Sequence, residues 1–440
     1  MKRERLHLIF ISWLMLYLPF THAFSQQWEY IGLKGIDITS IVPHPTDNRI
    51  LYLVGNYKIF KTVDGGASWD TLKTGFLVET GHLAPIKDMA ISPSNPDVLY
   101  AIWVPIEPRI FKSTDGGSTW FRIGQGYSNF DSDAILNTIA VDPDSCHIVY
   151  LGLGGFSPGE FLKSEDGGQT WYMTWYGPGV LSIAIDPITP NILYAGPQMS
   201  GPVRKSYDRG ESWVNTGFYT ASGGVLLIRI DPFNAHKIYL VAIHQGLFVS
   251  VDSGATWSKS DLSKIITSGY FYIDLLFDPV RRGLSYMAAN GKVYQSANQA
   301  ESWSELSSGL DSTSEIGTLA ITPDGSILYC GGNGLYRYVL KTRVEENDQS
   351  ETTKVFFCLN YPNPFNSTTR IEYSVPHAER IHLSVYSLDG RQVISRCIKS
   401  GGTNYGFFTL DCSHLSSGVY IYVIEAKGVD VLGGKMTVLK

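Results

Sequence analysis

Residues 111–120 read Phe111-Lys112-Ser113-Thr114-Asp115-Gly116-Gly117-Ser118-Thr119-Trp120, and the pattern Ser/Thr-x-Asp-x-Gly-x-Ser/Thr-Trp inside them returns along the chain. Copies centre on Asp64 with Trp69, Asp166 with Trp171, Asp208 with Trp213 and Asp252 with Trp257, and a decayed copy pairs Asn298 with Trp303. Successive central positions lie 51, 51, 42, 44 and 46 residues apart. A period of that size is the mark of a repeat architecture in which each unit buries its apolar face against the next. The spelling has a local cause. Asp at the head of a tight turn accepts bonds from amides that follow, Gly supplies a backbone angle other residues resist, and Trp buries a large ring against the neighbouring unit. Asp64, Asp115, Asp166, Asp208, Asp252 and Asn298, with Trp69, Trp120, Trp171, Trp213, Trp257 and Trp303, are therefore expected to be architecture rather than active sites.

Around each turn the same strand grammar recurs. Leu181-Ser-Ile-Ala-Ile185 stops at Asp186-Pro187, Ile192-Leu-Tyr194-Ala-Gly196 follows, and Val203-Arg-Lys-Ser206 leads into the turn. Proline cannot donate to a sheet ladder and so marks a strand end. With the strand after Trp, each unit has four short strands, the content of a propeller blade. First strands begin near Ile38, Lys87, Leu136, Val180, Val225, Tyr272 and Ile316, which predicts an all-β, seven-bladed β-propeller over 24–341. The seventh unit lacks an outer strand, and residues 28–33, beginning Trp28-Glu-Tyr-Ile, are expected to supply it and close the ring. Such closure protects a sheet edge from pairing with other chains.

These turns are those of the Asp box, or BNR repeat, and the stretch from Trp28 to Leu340 resembles the Asp-box β-propellers. That group includes sialidases, the sortilin luminal domain, xyloglucan-degrading glycosidases and photosystem II assembly factors. The resemblance implies a fold and leaves function open between enzymes and binding proteins.

The two ends carry different information. Met1-Lys-Arg-Glu-Arg5, an apolar run from Leu6 to Phe20 and Thr21-His-Ala23 read as a signal peptide over 1–23. Its removal takes the formal charge of -6 to -8, which gives no electrostatic reason to bind nucleic acid or an anionic membrane. No later apolar run reaches the ~20 residues a membrane helix needs. Residues 342–354 are polar and read as a linker. From 355 to 440, strands such as Ile381–Tyr386 and Val419–Ile424 alternate around a turn at Asp389-Gly390, which predicts a small Ig-like β-sandwich. Here Tyr361-Pro-Asn-Pro-Phe365-Asn366, Val385-Tyr-Ser-Leu-Asp-Gly390-Arg391, Leu415-Ser-Ser-Gly418-Val-Tyr420 and the basic end Lys435–Lys440 resemble the type IX secretion sorting domain. The resemblance implies a type IX translocon as partner, and a protein secreted or held at the cell surface after crossing the periplasm of a Gram-negative bacterium.

Chemistry is sparse. Glycoside hydrolysis needs two positioned carboxylates, but the repeated aspartates belong to turns, and Phe121-Arg-Ile-Gly124 lacks the proline of a sialidase signature. The 10 histidines show no zinc spacing, and neither metal nor cofactor is expected. The five cysteines are too scattered for a disulfide framework, and Cys397 with Cys412 is the one pair weighed, against buried free thiols. On the face opposite the turns, loop residues Trp103, Tyr127, Phe130, Asp131, Asp133, Phe156, Tyr176, Tyr219 and Tyr270 are the candidate ligand contacts. The expected function is a monomeric, non-catalytic binding module for a glycan or an extracellular protein. A glycosidase of sialidase or xyloglucanase type, and an assembly factor or scaffold, are the alternatives.

Overall fold

The computed structural model describes residues 27–72, 86–104, 109–124, 135–155, 159–262, 265, 273–311, 313–340, 357–361, 367–374, 380–399, 405–426, 432–438 and 440. The signal-peptide and linker expectations lie outside these residues. The chain divides into two compact units, Met1–Arg343 and Val344–Lys440. Every regular element among the described residues is a strand.

The first unit is a series of antiparallel sheets, each a meander of consecutive strands. Sheet B holds Ile86–Ile91, Leu99–Trp103, Arg109–Ser113 and Phe121–Ile123, and sheet C holds Ile135–Val141, Val149–Gly154, Gly159–Ser164 and Tyr172–Gly177. Sheet D holds Val180–Ile185, Leu193–Pro197, Gly201–Ser206 and Val214–Thr220, and sheet E holds Val225–Asp231, Asn234–Ala242, Gly246–Ser250 and Ser258–Lys259. Sheet F holds Ile273–Phe277, Ser285–Ala289, Lys292–Ser296 and Ser304–Glu305. Sheet A is different: it has six strands, in the order Thr318–Ile321, Ile327–Val339, Glu29–Pro43, Leu51–Gly55, Lys58–Thr62 and Asp70–Thr71.

The long strand Glu29–Pro43 joins the two ends of this unit. Its first residues pair with the last long strand, Glu29 opposite Arg337 and Tyr30 opposite Tyr336, while Ile41 to Pro43 pair with Leu53 to Leu51. Trp28 fixes the junction, its indole N–H donating to the Leu306 carbonyl at 2.5 Å and its ring 5.4 Å from that of Tyr338. Inside, the first strands of sheets B to F and the strands Glu29–Pro43 and Thr318–Ile321 touch one another in sequence, and Thr318–Ile321 touches Glu29–Pro43. They enclose a central channel. Second strands such as Leu99–Trp103 and Leu193–Pro197 are buried at every position, because each lies mid-sheet with another sheet on either face.

The recurrent turns build the boundaries between sheets. In the copy at Ser164, the hydroxyl accepts the Gly168 N–H at 2.8 Å and donates to Asp166 at 2.8 Å, and Asp166 accepts both the amide and the hydroxyl of Thr170. Gly168 has φ +87, and a Cβ there would stand 2.4 Å from Ile123 of sheet B, so the turn can lie against its neighbour only without a side chain. Trp171 donates to the Gly168 carbonyl and is buried in a cluster with Ile123 and Ile110 of sheet B. Trp213 meets Phe161 of sheet C at 4.5 Å, and Trp257 meets Phe218 of sheet D at 5.5 Å. The decayed copy keeps this geometry: Asn298 accepts the Ser302 amide at 2.9 Å, and Ala300 takes φ +64 in the glycine position.

A second, unforeseen set of contacts crosses the same boundaries. At four of the turns the residue after the central Asp or Asn turns its carbonyl to the preceding sheet, where a lysine reaches it, joined at three of them by a tyrosine. Lys61 and Tyr52 donate to the Gly116 carbonyl at 2.7 and 3.0 Å. Lys205 and Tyr194 donate to Ser253 at 3.2 and 3.0 Å, and Lys237 and Tyr239 to Gln299 at 3.3 and 2.7 Å. Lys112 donates to Gly167 at 3.0 Å, while Tyr100 reaches Cys146. Each of these ammonium groups also lies over its tyrosine ring, between 5.2 and 5.6 Å from the centroid.

The second unit packs a three-stranded sheet (Phe357–Tyr361, Thr368–Ser374, Tyr405–Asp411) with a four-stranded sheet (Gln392–Lys399, Arg380–Ser387, Gly418–Ala426, Leu432–Val438). Ile371, Phe408 and Leu410 from one and Leu383, Val385 and Ile424 from the other form a shared core, which makes a β-sandwich. Cys397 is free and exposed, and Cys412 is free and buried, so the two do not pair.

Hydrogen bonds from Ser68, Thr119 and Thr256 hold the carboxyls of Asp64, Asp115 and Asp252 down at about 2, below their ordinary 3.8. A depressed carboxyl contributes stability above its unfolded pKa and loses it as pH falls through the folded one. Thermal unfolding followed from pH 5 to pH 2 is expected to show this loss mainly below pH ~4. Asp252→Asn, which copies the natural Asn298, should fall less steeply over that window, and an unchanged slope would contradict the turn chemistry.

Candidate functional site

The channel gathers a polar constellation from the first strands. Its described lining includes Thr39, Lys87, Asp88, Asn137, Arg229 and Asp274, together with Leu181, Leu226 and Thr318, around a cavity of about 450 Å³. All come from the first strands or from the turns leading into them. β-Bulges in these strands, at Ile86 to Asp88 and Val180 to Ser182 among others, turn polar side chains toward the next sheet.

Most of these groups are already committed. Asp88 of sheet B accepts the Ile139 amide and the Thr138 hydroxyl of sheet C, each at 3.1 Å, and the Met89 amide at 2.9 Å. Asn137 of sheet C donates to the Val180 carbonyl of sheet D at 2.9 Å, and Ser182 of sheet D donates to Val225 of sheet E at 2.8 Å. Arg229 of sheet E donates to the Leu275 carbonyl of sheet F at 2.9 Å and pairs with Asp274 at 3.2 Å. Asp274 in turn accepts the Leu319 amide of sheet A at 2.9 Å. A chain of side-chain bonds thus steps from sheet to sheet around the channel. Burial pushes the Asp88 carboxyl up, against the pull of its three donors.

This arrangement bears on hydrolysis. A glycosidase needs one carboxyl free to protonate a leaving group and a second free to attack or to activate water. Asp88 and Asp274 both line the channel, but each spends its oxygens on backbone amides and hydroxyls of the next sheet, and Asp274 also on Arg229. They act as fasteners.

The nine loop residues expected from sequence fall into three groups. Tyr127, Phe130, Asp131, Asp133, Phe156 and Tyr270 lie outside the described residues. Trp103 is a correction: it is 1 % exposed, packed with Ile86, Met89 and Phe111 under the guanidinium of Arg109. It closes a second strand covered on both faces, so it offers no open ring to a ligand. Tyr176 and Tyr219 are 59 % and 64 % exposed. They stand on the outer strands of sheets C and D, Tyr219 beside Pro202 with its hydroxyl 3.4 Å from that of Ser200. Between them Gly201 meets Pro178, whose ring would lie 3.1 Å from a Cβ there, and Met199 nearby is 52 % exposed. The sequence reading missed Lys87, Asp88, Asn137, Arg229 and Asp274. A polar residue interrupting an otherwise apolar first strand was the available signal.

Among solved structures, YCF48 from Cyanidioschyzon merolae superposes with a TM-score of 0.54 at 18% identity, covering 71% of this chain and 99% of that one. The Dos1 propeller gives 0.51 at 12% identity, covering 73% and 97%. The first unit is a β-propeller. Residues 360–436 match the family described as the secretion system C-terminal sorting domain, so the sandwich carries a sorting domain. In sequence, the chain is similar to a xyloglucanase of Hypocrea jecorina (strain QM6a), at 24% identity over 255 residues, 55% of this chain and 28% of the relative. A xyloglucanase of Acetivibrio thermocellus is 29% identical over 176 residues, 30% of this chain and 20% of the relative. The chain thus spans about a quarter of the length of the curated relatives it matches.

Proposed function

We propose that this chain is an exported carbohydrate-binding, seven-bladed Asp-box propeller, in which sheet A combines the first blade and the last. A signal peptide over 1–23 takes it to the periplasm, and a type IX translocon recognises the sorting domain and delivers it to the surface or the medium. The propeller then holds a neutral polysaccharide of the xyloglucan type on the face bearing Tyr176 and Tyr219, without cleaving it. The observation that carries the non-catalytic reading is the commitment of Asp88 and Asp274 to bonds between sheets. The substrate class rests on the xyloglucanase relatives, and the exposed tyrosines are rings on which a sugar face can stack.

Hydrolysis is the second reading, favoured by the 255-residue similarity to a xyloglucanase. The secreted protein is expected to be retarded in a native gel containing xyloglucan and to release no reducing ends from it. Tyr176→Ala and Tyr219→Ala should each weaken the retardation roughly three- to tenfold. Unretarded migration, or full retardation of both variants, would overturn the binding reading, and steady release of reducing ends would establish the second. For export, a chain stopped before Val355 should remain in the periplasm, and its arrival in the medium would sink the sorting assignment.

A further inference from the structure

The turn that follows each first strand carries a repeated device of its own. In sheets C to F its leading residue is Asp142, Asp186, Asp231 or Asp278, and a carboxylate oxygen accepts backbone amides two or three residues on, at 2.8–3.0 Å. In sheet A, after Glu29–Pro43, the same position holds His44. Its amide donates to the Ile50 carbonyl at 3.0 Å, as Asp142 donates to Ile148 and Asp186 to Ile192. The imidazole takes over the carboxylate's task, Nδ1 accepting the Thr46 and Asp47 amides at 3.3 and 3.0 Å. A backbone amide can only donate, so Nδ1 carries no proton and the ring is neutral. Protonation would place a third donor where two amides already point.

The loop from 44 to 50 has two further ties. The Arg49 carbonyl accepts the Gly65 amide of the first recurrent turn at 2.9 Å, and the Asn48 side chain bonds to the Asp324 carboxylate, in the turn after Thr318–Ile321. The second tie spans the seam where the two ends of the unit meet. Tyr329, opposite Ala320 as Tyr100 is opposite Ala90, has a buried hydroxyl without a partner among the described residues, so the seam lacks a bond that other boundaries have. We propose that His44 is a proton-operated latch on this seam: neutral, it holds the loop that ties the first recurrent turn to the last strands, and protonated, it lets that loop go. Burial holds the imidazole below its ordinary 6.5 together with Lys61, against the pull of the facing carboxylates Asp47 and Asp97. Bonds from Arg49 keep Asp47 at about 2, so Asp47 stays ionised while His44 titrates. A histidine of depressed pKa contributes stability above its unfolded value and loses it as pH falls through the folded one, so the latch opens below pH 6.5, well above the range of the recurrent Asp turns.

Amide hydrogen exchange of the full secreted chain at about pH 7.5 and about pH 5, corrected for the intrinsic effect of pH, tests the latch. The amides of Thr46, Asp47 and Gly65 are expected to exchange about tenfold faster at the lower pH, while those of Val280 and Arg281, held by Asp278 in the equivalent loop, stay unchanged. His44→Asp, which installs the acceptor used in sheets C to F, should abolish the difference, and His44→Ala should give fast exchange at both pH values. An unchanged rate in the natural chain, or the same acceleration in His44→Asp, would overturn the proposal. Nitrogen NMR of the His44 ring gives an independent reading that needs no variant to fold. An Nδ1 free of its proton at neutral pH and protonated only below 6.5 is expected, and an Nδ1 already protonated at neutral pH would contradict the latch. Neither measurement depends on whether the propeller binds xyloglucan.

Discussion

A carbonyl oxygen presented backward, from a turn in one sheet to a lysine and a tyrosine in the sheet before it, is the contact on which this propeller depends. The residue after each turn Asp adopts a left-handed conformation, with φ +66 at Gly116, +74 at Gly167 and +61 at Ser253, and that conformation aims its carbonyl outward. A buried carbonyl without a donor costs about 1–3 kcal/mol. Lysine is costly to bury, and burial lowers the pKa of Lys112 and Lys237. Each is tolerated because carbonyl and tyrosine ring together answer its charge. Across the four boundaries the arrangement repeats with variations: Lys237 reaches forward from the second strand where its counterparts stand on the third, with Val249 in the vacated place, and Tyr100 reaches Cys146 while Lys112 alone holds Gly167.

How much of this could be read from sequence depends on whether a residue acts within its own turn or across a boundary. Ser164, Asp166, Gly168 and Thr170 lie within seven residues of one another, and their spelling dictates their bonds. The turns were therefore legible, even in the decayed copy at Asn298. Lys112 and Gly167 are 55 residues apart, and nothing local in either announces the other. The recurrence of Lys before the turn hydroxyl, at Lys61, Lys112, Lys163 and Lys205, was visible as a pattern but gave no partner. Even so the pattern is not uniform, since Lys163 pairs with Glu165 and Glu211 instead.

The candidate site was less legible for the same reason. Trp103 ends a strand next to a loop, and sequence alone could not show that sheets cover that strand on both faces. Asp88 and Asp274 looked unremarkable in the sequence, yet they fasten first strands across the channel with bonds to backbone amides. Fastening and function compete for the same groups. Polar side chains such as Asp88 and Asp274 are spent on holding the ring together.

The central claim, that four of the boundaries are held by a carbonyl gripped from the preceding sheet, is tested most directly by hydrogen exchange on Lys112→Met. Removing this ammonium strips the Gly167 carbonyl of its donor from sheet B. Exchange should quicken by about tenfold at the amides of residues 164–171 and along the facing strands of sheets B and C, with sheets E and F unchanged. An unaltered pattern, or an equal rise in every sheet, would contradict the account.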